Sequence, residues 1–333
     1  MIIKKIIKYS LIFTGFISFS LLIYSVIFSN FNDISVKPIN KIHLKNSKKT
    51  NHNTVYLVSY ADGHESFFRN QLALCESALG RGVDVLMNYN RSMIDKEFLQ
   101  KNKEIFKHKQ GAGLWLWKPW AIYDAMKKAS ENSIIIYSDT GFVFKNSLYD
   151  LINFTNEKDM VVVEYEDRDI YPLFIDKVKR EVLIKMDIDN EKYHYAPPVI
   201  GGFMVIKNNE KSRSIIKEWL DLCQIPGLLI GGPSSKPELP GFSGHQHDQS
   251  IFRMVAFKHR NNIKNIAYGS VLEKKYTSWH HRRPGANPDD DMFIYKSLKP
   301  YYSRYRKIVR AINLLIYNNY FIKKFRKNKI ESK

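Results

Sequence analysis

The stretch "IIIYSDTGFVF", Ile134 to Phe144, decides the fold. Three isoleucines and a tyrosine make a short, apolar, β-branched run, the pattern of a strand buried on both faces. The run stops at Asp139 and Gly141. An aspartate there can be a turn former, because Asp-x-Gly is ordinary turn chemistry, or a ligand for a hard cation. Open α/β sheets bind ligands at the carboxyl ends of their strands, so fold and site meet at this residue.

Reading outward, strands alternate with helices. "TVYLVSY" and "VDVLMNY" precede the stretch as strands; "DMVVVEYE" and "PPVIGGFMVIKN" follow it. Between them lie helical patterns in "ESFFRNQLALCESALGRG", with apolar Phe67, Phe68, Leu72, Leu74, Cys75 and Leu79, and in "LWLWKPWAIYDAMKKA". "SLYDLINF", "EKSRSIIKEWLDLC" and "HDQSIFRMVAFKH" are further helices. This alternation predicts an α/β fold with a mainly parallel sheet and helices on both faces. The long Gly-, Pro- and Ser-rich loop from Pro226 to Gly244 is of the kind that is functional or disordered.

Several short motifs surround Asp139 in the chain. "GAGLWLWKPW" joins Gly111 and Gly113, which permit a tight turn or a close ligand, to three tryptophans and Lys118. Lys118 near a helix start is placed to meet a phosphate, although a solvated lysine beside core tryptophans is the plainer reading. Gly201 and Gly202 inside a strand mark a bulge or a close ligand approach. "GHQHDQSIF" sets Asp248 and Gln249 at a helix start, where Asp248 is either an N-cap or a carboxylate aimed at a sugar. "SWHHRRPG" supplies His280, His281, Arg282 and Arg283, imidazoles suited to a metal and guanidiniums suited to phosphate, or simply a solvated basic loop.

Composition bounds the rest. Across 333 residues, 52 Lys and Arg oppose 33 Asp and Glu, for a net charge of +19. Such a balance favours a phosphate-bearing partner or reflects Lys-rich composition alone. No nucleic-acid-binding motif is present, so nucleic acid is not expected. Two cysteines, Cys75 and Cys223, are too few for a disulfide framework or a zinc site and are expected as buried thiols. At the N-terminus, Lys4, Lys5 and Lys8 precede an uncharged apolar run from Tyr9 to Phe28, long enough to cross a bilayer as a helix. It is read as an uncleaved signal anchor over residues 1–30, with 31–53 as a polar stalk. Lysines flank the run on both sides, which leaves the orientation open. Residues 299–333 form a basic amphipathic tail, a membrane-surface helix or an ordinary terminal helix.

In their order, these pieces resemble the membrane-anchored glycosyltransferases of the GT-A fold, the nucleotide-diphospho-sugar transferases. The resemblance runs from about residue 54 to 285, inside a GT-A-like domain drawn at 54–298. It implies a hexosyltransferase-like enzyme moving a sugar from a nucleotide-diphospho-sugar to a hydroxyl of a glycan or lipid-linked acceptor, in surface polysaccharide or glycan synthesis at a membrane. It implies Tyr60 and Ala61 near the nucleotide base, and Lys118 near the diphosphate. Gly201 and Gly202 would line the sugar pocket, with Asp248 as base or sugar-positioning carboxylate and Gln249 beside it. Asp139 would contact the donor's ribose and phosphate or a divalent cation, Mn²⁺ or Mg²⁺, which it would hold with His280 or His281. One departure stands out: the second aspartate of the family's Asp-x-Asp turn is Gly141 here, so Arg282 and Arg283 become candidates to neutralise the leaving diphosphate. The same departure supports a rival reading, a non-catalytic membrane-anchored protein that binds nucleotide sugars or glycans.

Overall fold

The computed structural model describes residues 41–43, 53–166 and 175–279. The anchor, the tail and the His280–Arg283 motif lie outside these residues. No helix among the described residues is long and apolar enough to cross a membrane.

Among the described residues nine strands form: β1 (Lys41–His43), β2 (Val55–Tyr60), β3 (Val85–Tyr89), β4 (Ile134–Ser138), β5 (Phe142–Phe144), β6 (Met160–Glu164), β7 (Val199–Lys207), β8 (Ile263–Ala267) and β9 (Thr277–Trp279). Seven make one sheet in the order β1-β3-β2-β4-β7-β6-β8; β5 and β9 pair separately. β2 is parallel to β3 and β4, and β6 is parallel to β8. β7 runs antiparallel to both its neighbours, and β1 antiparallel to β3. Five strands of the sheet therefore share one direction, and β1 and β7 oppose them. β1 arises within the stretch read as a stalk.

The four longest helices among the described residues are α1 (Glu65–Ala78), α2 (Trp117–Lys128), α3 (Glu210–Cys223) and α4 (Asp248–Lys258). They cover both faces because side chains alternate along each strand. In β2, Val55 and Leu57 pack with Leu74, Cys75 and Ala78 of α1. Tyr56, Val58 and Tyr60 pack on the other face, in the cluster that holds buried residues of α2, α3 and α4. Helix α3 buries Ser212, Ile215, Ile216, Trp219, Leu220 and Cys223. That spacing is the stripe a 3.6-residue period requires. Its start is capped by Asn209, whose side chain accepts from the Ser212 N–H at 2.9 Å.

Helix α1 departs from its apolar reading. Phe67, Phe68 and Leu72 are only half-buried, and Leu79 lies past the last turn at 53% exposure. Asn70 and Gln71 turn inward instead. Gln71 reaches the Ser59 hydroxyl at 3.1 Å, and Cys75 donates to Asn88 Oδ1 at 3.3 Å. Hydrogen bonding offsets the cost of burying these polar groups. Both cysteines are free and buried, as expected.

The segment from Pro226 to Gly244 is pinned rather than loose. It opens with a short helix, Pro226–Leu229. Glu238 accepts the Arg180 N–H at 2.8 Å, and Ser243 donates both to the Asp176 side chain and, through its N–H, to the Asp176 carbonyl.

Candidate active site

The site forms at the sheet edge where β2, β4 and β6 end. β7 runs the other way, so its first half lies at the same edge. That reversal brings Gly201 and Gly202 to Asp139 although about sixty residues separate them. Between Val162 and Val163 of β6, the partner on β7 jumps from Met204 to Ile200. The glycine pair thus sits in a bulge, one of the two outcomes a double glycine in a strand predicts. The Gly201 N–H, freed from the β6 ladder, donates to Gln249 Oε1 at 3.1 Å.

Asp139 is both turn former and site residue. Its carbonyl accepts from the Phe142 N–H at 3.1 Å, closing the turn, and its own N–H donates to the Gly202 carbonyl at 2.8 Å. Its side chain faces the site. Oδ1 accepts from the Tyr137 hydroxyl at 2.6 Å and lies 3.5 Å from Lys118 Nζ. Asp248 Oδ2 lies 3.5 Å from the same ammonium, and both Lys118 and Asp248 are almost wholly buried. Lys118 lies in the first turn of α2, as the sequence suggests, but it is buried rather than solvated and bridges two carboxylates. Burial alone would lower its pKa, but Asp139 and Asp248 raise it, so it stays charged.

Asp248 is not the N-cap. His247 takes that place with φ 51° and ψ −121° and makes no side-chain cap. Asp248 is the first helical residue, and its carbonyl accepts the Trp219 indole N–H at 2.9 Å. Its Oδ2 has no hydrogen bond. The Lys118 contact is longer than a normal N–H···O bond. Burial pushes the Asp248 carboxyl up to about 6; Lys118 opposes that shift and Asp139 adds to it.

The glycine- and tryptophan-rich segment positions Lys118. Ala112, Leu114 and Trp115, with Gly111 and Gly113, all have positive φ. At Gly111 a Cβ would meet the Trp115 ring at 2.4 Å, and at Gly113 it would meet Phe106 at 2.6 Å. These glycines serve a tight turn rather than a ligand. Trp117 and Trp120 are both core: Trp120 lies edge-on to Tyr89, and Trp117 stacks on the buried Tyr60 at 3.9 Å and 11°. Trp115 is half-buried near His247.

Of the residues singled out in the sequence, Lys118, Asp139, Gly201, Gly202, Asp248 and Gln249 converge. Tyr60 joins them through Trp117, and Ala61 follows it with its N–H bonded to the Tyr89 carbonyl. His280, His281, Arg282 and Arg283 lie outside the described residues. Sequence reading missed Tyr137, although a residue two before Asp139 on a strand projects to the same side. Among the described residues no three His, Cys, Asp or Glu side chains converge, and the ammonium of Lys118 lies 3.5 Å from both Asp139 and Asp248; His280 and His281, the other ligands expected for a cation, are not among these residues.

No family model matches the sequence, and a search of curated proteins found no match. Solved structures similar in outline include glycosyltransferases. Mouse xyloside xylosyltransferase 1 is 10% identical over 65% of this chain and 84% of that one, with a TM-score of 0.35. A glycosyltransferase involved in glycosylation of the major capsid of PBCV-1 is 8% identical over 71% and 99%, with a TM-score of 0.41. GlyE of Streptococcus pneumoniae TIGR4 is 14% identical over 65% and 45%, with a TM-score of 0.34. Likenesses this distant carry no functional argument; the geometry of the site carries it.

Proposed function

We propose that the chain is a glycosyltransferase that moves a sugar from a nucleotide-diphospho-sugar to a hydroxyl of a glycan or lipid-linked acceptor. One observation carries this reading. A buried carboxylate oxygen, Asp248 Oδ2, has no hydrogen bond and stands beside a buried ammonium at the ligand-binding edge of an α/β sheet. A buried carboxylate oxygen held only by a long contact to an ammonium can take a further donor, and a substrate hydroxyl supplies it.

In the proposed reaction the acceptor oxygen bonds to the anomeric carbon. The bond from that carbon to the phosphate oxygen breaks, and its electron pair leaves with the nucleoside diphosphate. Asp248 takes the hydroxyl proton, a role that suits a carboxyl with a pKa of about 6. Lys118 supplies positive charge to the leaving group, with Arg282 and Arg283 as further candidates. Tyr60 and the Trp117 ring stacked on it offer a flat wall for the base. The Gly201–Gly202 bulge would line the sugar pocket. A base in this role fits inversion, which the anomeric configuration of the product tests.

Donor screening with nucleotide sugars decides between transfer and binding alone. Asp248→Asn should keep donor binding and lose transfer. Equal transfer by wild type and Asp248→Asn sinks the assignment. Donor binding without transfer or hydrolysis in the wild type favours the non-catalytic reading. We further propose that Lys118 takes the place of a catalytic cation, so activity should survive chelation by EDTA. Loss in EDTA with rescue by Mn²⁺ would instead bring in Asp139 with His280 or His281. Attachment to a membrane through residues 1–30 is part of the same proposal, and fractionation of cells expressing the full chain tests it.

A further inference from the structure

Beside this site lies a small cleft, lined among others by Tyr165, Asp176, Lys177, Gln246, Gln249 and Arg253. Gln249 borders both places: it lines the cleft and also holds the Gly201 N–H. Arg253 is four residues further along α4, on the same side of the helix as Gln249. It stands about 7.5 Å along the helix axis from Asp248.

Arg253 is unusual for a buried charge. It is 5% exposed. Its Nε donates to the carbonyls of Ala196 at 3.0 Å and Pro197 at 3.1 Å, and its Nη2 donates to Ala196 as well. These partners are neutral. Asp176 acts on it only from a distance, and burial pulls the guanidinium down to about 10, still charged at neutral pH. Nη1 makes no hydrogen bond among the described residues. Buried guanidiniums are ordinarily paired with an anion, and this one is held by carbonyls with one edge left over, in the wall of a cleft. The charges facing it there are Lys177, whose Nζ lies 3.3 Å from the Ser243 carbonyl, and Asp176, which accepts from the Ser243 hydroxyl.

We propose that Arg253, with Lys177, Gln246 and Gln249, forms an acceptor subsite that recognises an anionic group, the carboxylate or phosphate of a charged sugar acceptor. As an acceptor site it rests on the transferase reading; as an anion site it does not. The separation from Asp248 lets the anion be held while a different part of the acceptor presents its hydroxyl to the base. Guanidinium is the group suited to this task because its planar fork binds carboxylate or phosphate oxygens in pairs.

Direct binding to the full-length chain in detergent tests the subsite without any need for catalysis. The probes are methyl β-glucuronide, methyl β-glucoside and inorganic phosphate, followed by calorimetry or ligand-observed NMR. The glucuronide or the phosphate should bind at least about tenfold more tightly than the neutral glucoside. A tighter glucuronide points to an acidic sugar, and tighter phosphate to a phosphorylated acceptor. Arg253→Gln should remove the preference, Arg253→Lys should restore part of it, and Lys177→Glu should weaken it severalfold. Should Arg253→Gln fail to fold, Lys177→Glu decides. Equal binding of all three probes by the wild type overturns the proposal, as does an anion preference unchanged in both the Arg253 and Lys177 variants. If the chain binds the anions but no nucleotide sugar, the transferase reading fails while the anion site stands.

Discussion

Asp248 carries the sharpest consequences at the scale of the residue. Its folded pKa of about 6 lies above the ordinary value of 3.8, so the folded chain holds this proton more tightly than the unfolded one. Stability therefore falls as pH rises through the window from about 4 to 6, and the cost of the buried charge persists above it. Activity runs the other way, because the base works only when ionised. kcat/KM should rise with pH through a limb near 6, and Asp248→Asn should abolish transfer while leaving Tm at pH 8 equal to or above that of the wild type. A clear drop in Tm would show that the carboxylate is a structural group. The two glycines make a second, paired prediction. A Cβ at Gly202 would stand 3.0 Å from Asp139 Oδ2, whereas at Gly201 the nearest atoms, on Gln249 and Lys118, are 3.7 Å away. Gly202→Ala should displace Asp139 and cost roughly tenfold to a hundredfold in kcat/KM. Gly201→Ala should cost far less, and equal kinetics for the two variants would refute the placement of Asp139. Lys118→Met leaves two carboxylates without their cation and should cost about 3–5 kcal/mol in denaturant unfolding as well as the activity.

Among the elements, α2 and β7 depend on one another through Asn208. This fully buried residue follows β7 and donates to the carbonyls of Met126 at 3.0 Å, Ala129 at 3.3 Å and Ser130 at 2.9 Å. It closes the end of the helix whose start carries Lys118. Asn208→Ala should cost about 2 kcal/mol in denaturant unfolding, by leaving buried carbonyls unpaired. Unchanged stability would mean that these carbonyls find other donors. Most elements were legible in the sequence because their signals are local. The isoleucine and valine runs of β4 and β6 read as strands, and the spacing of Ile215, Ile216 and Trp219 reads as a helix. Elements without such a signal were missed. β5 and β9 are three residues each. β8 is an edge strand of mixed polarity that buries only Ile263 and Ile266. Helix α1 misled because its apolar side chains are shared between core and surface, while Asn70 and Gln71 are satisfied inside by tertiary partners.

For the molecule as a whole, a ligand that binds only the folded chain must stabilise it. A nucleoside diphosphate at about a hundred times its Kd should add roughly 2.7 kcal/mol, visible as a Tm rise of several degrees in thermal unfolding. No shift with any nucleoside diphosphate or nucleotide sugar would remove the donor site. The sequence by itself determined the α/β alternation, the strand that ends at Asp139 and the set of residue types that converge at one edge, because burial period and turn chemistry are written in neighbouring positions. It left the roles of those residues open. Tertiary structure decided that β7 runs against its neighbours and so carries Gly201 and Gly202 to Asp139. It decided that Lys118 is buried between two carboxylates instead of solvated, that Gly111 and Gly113 serve a tight turn, and that the Ala196 and Pro197 carbonyls hold Arg253 in the wall of a cleft. Charge pairing, pKa and close approach depend on distances between residues far apart in the chain, and only the folded arrangement of the sheet sets those distances.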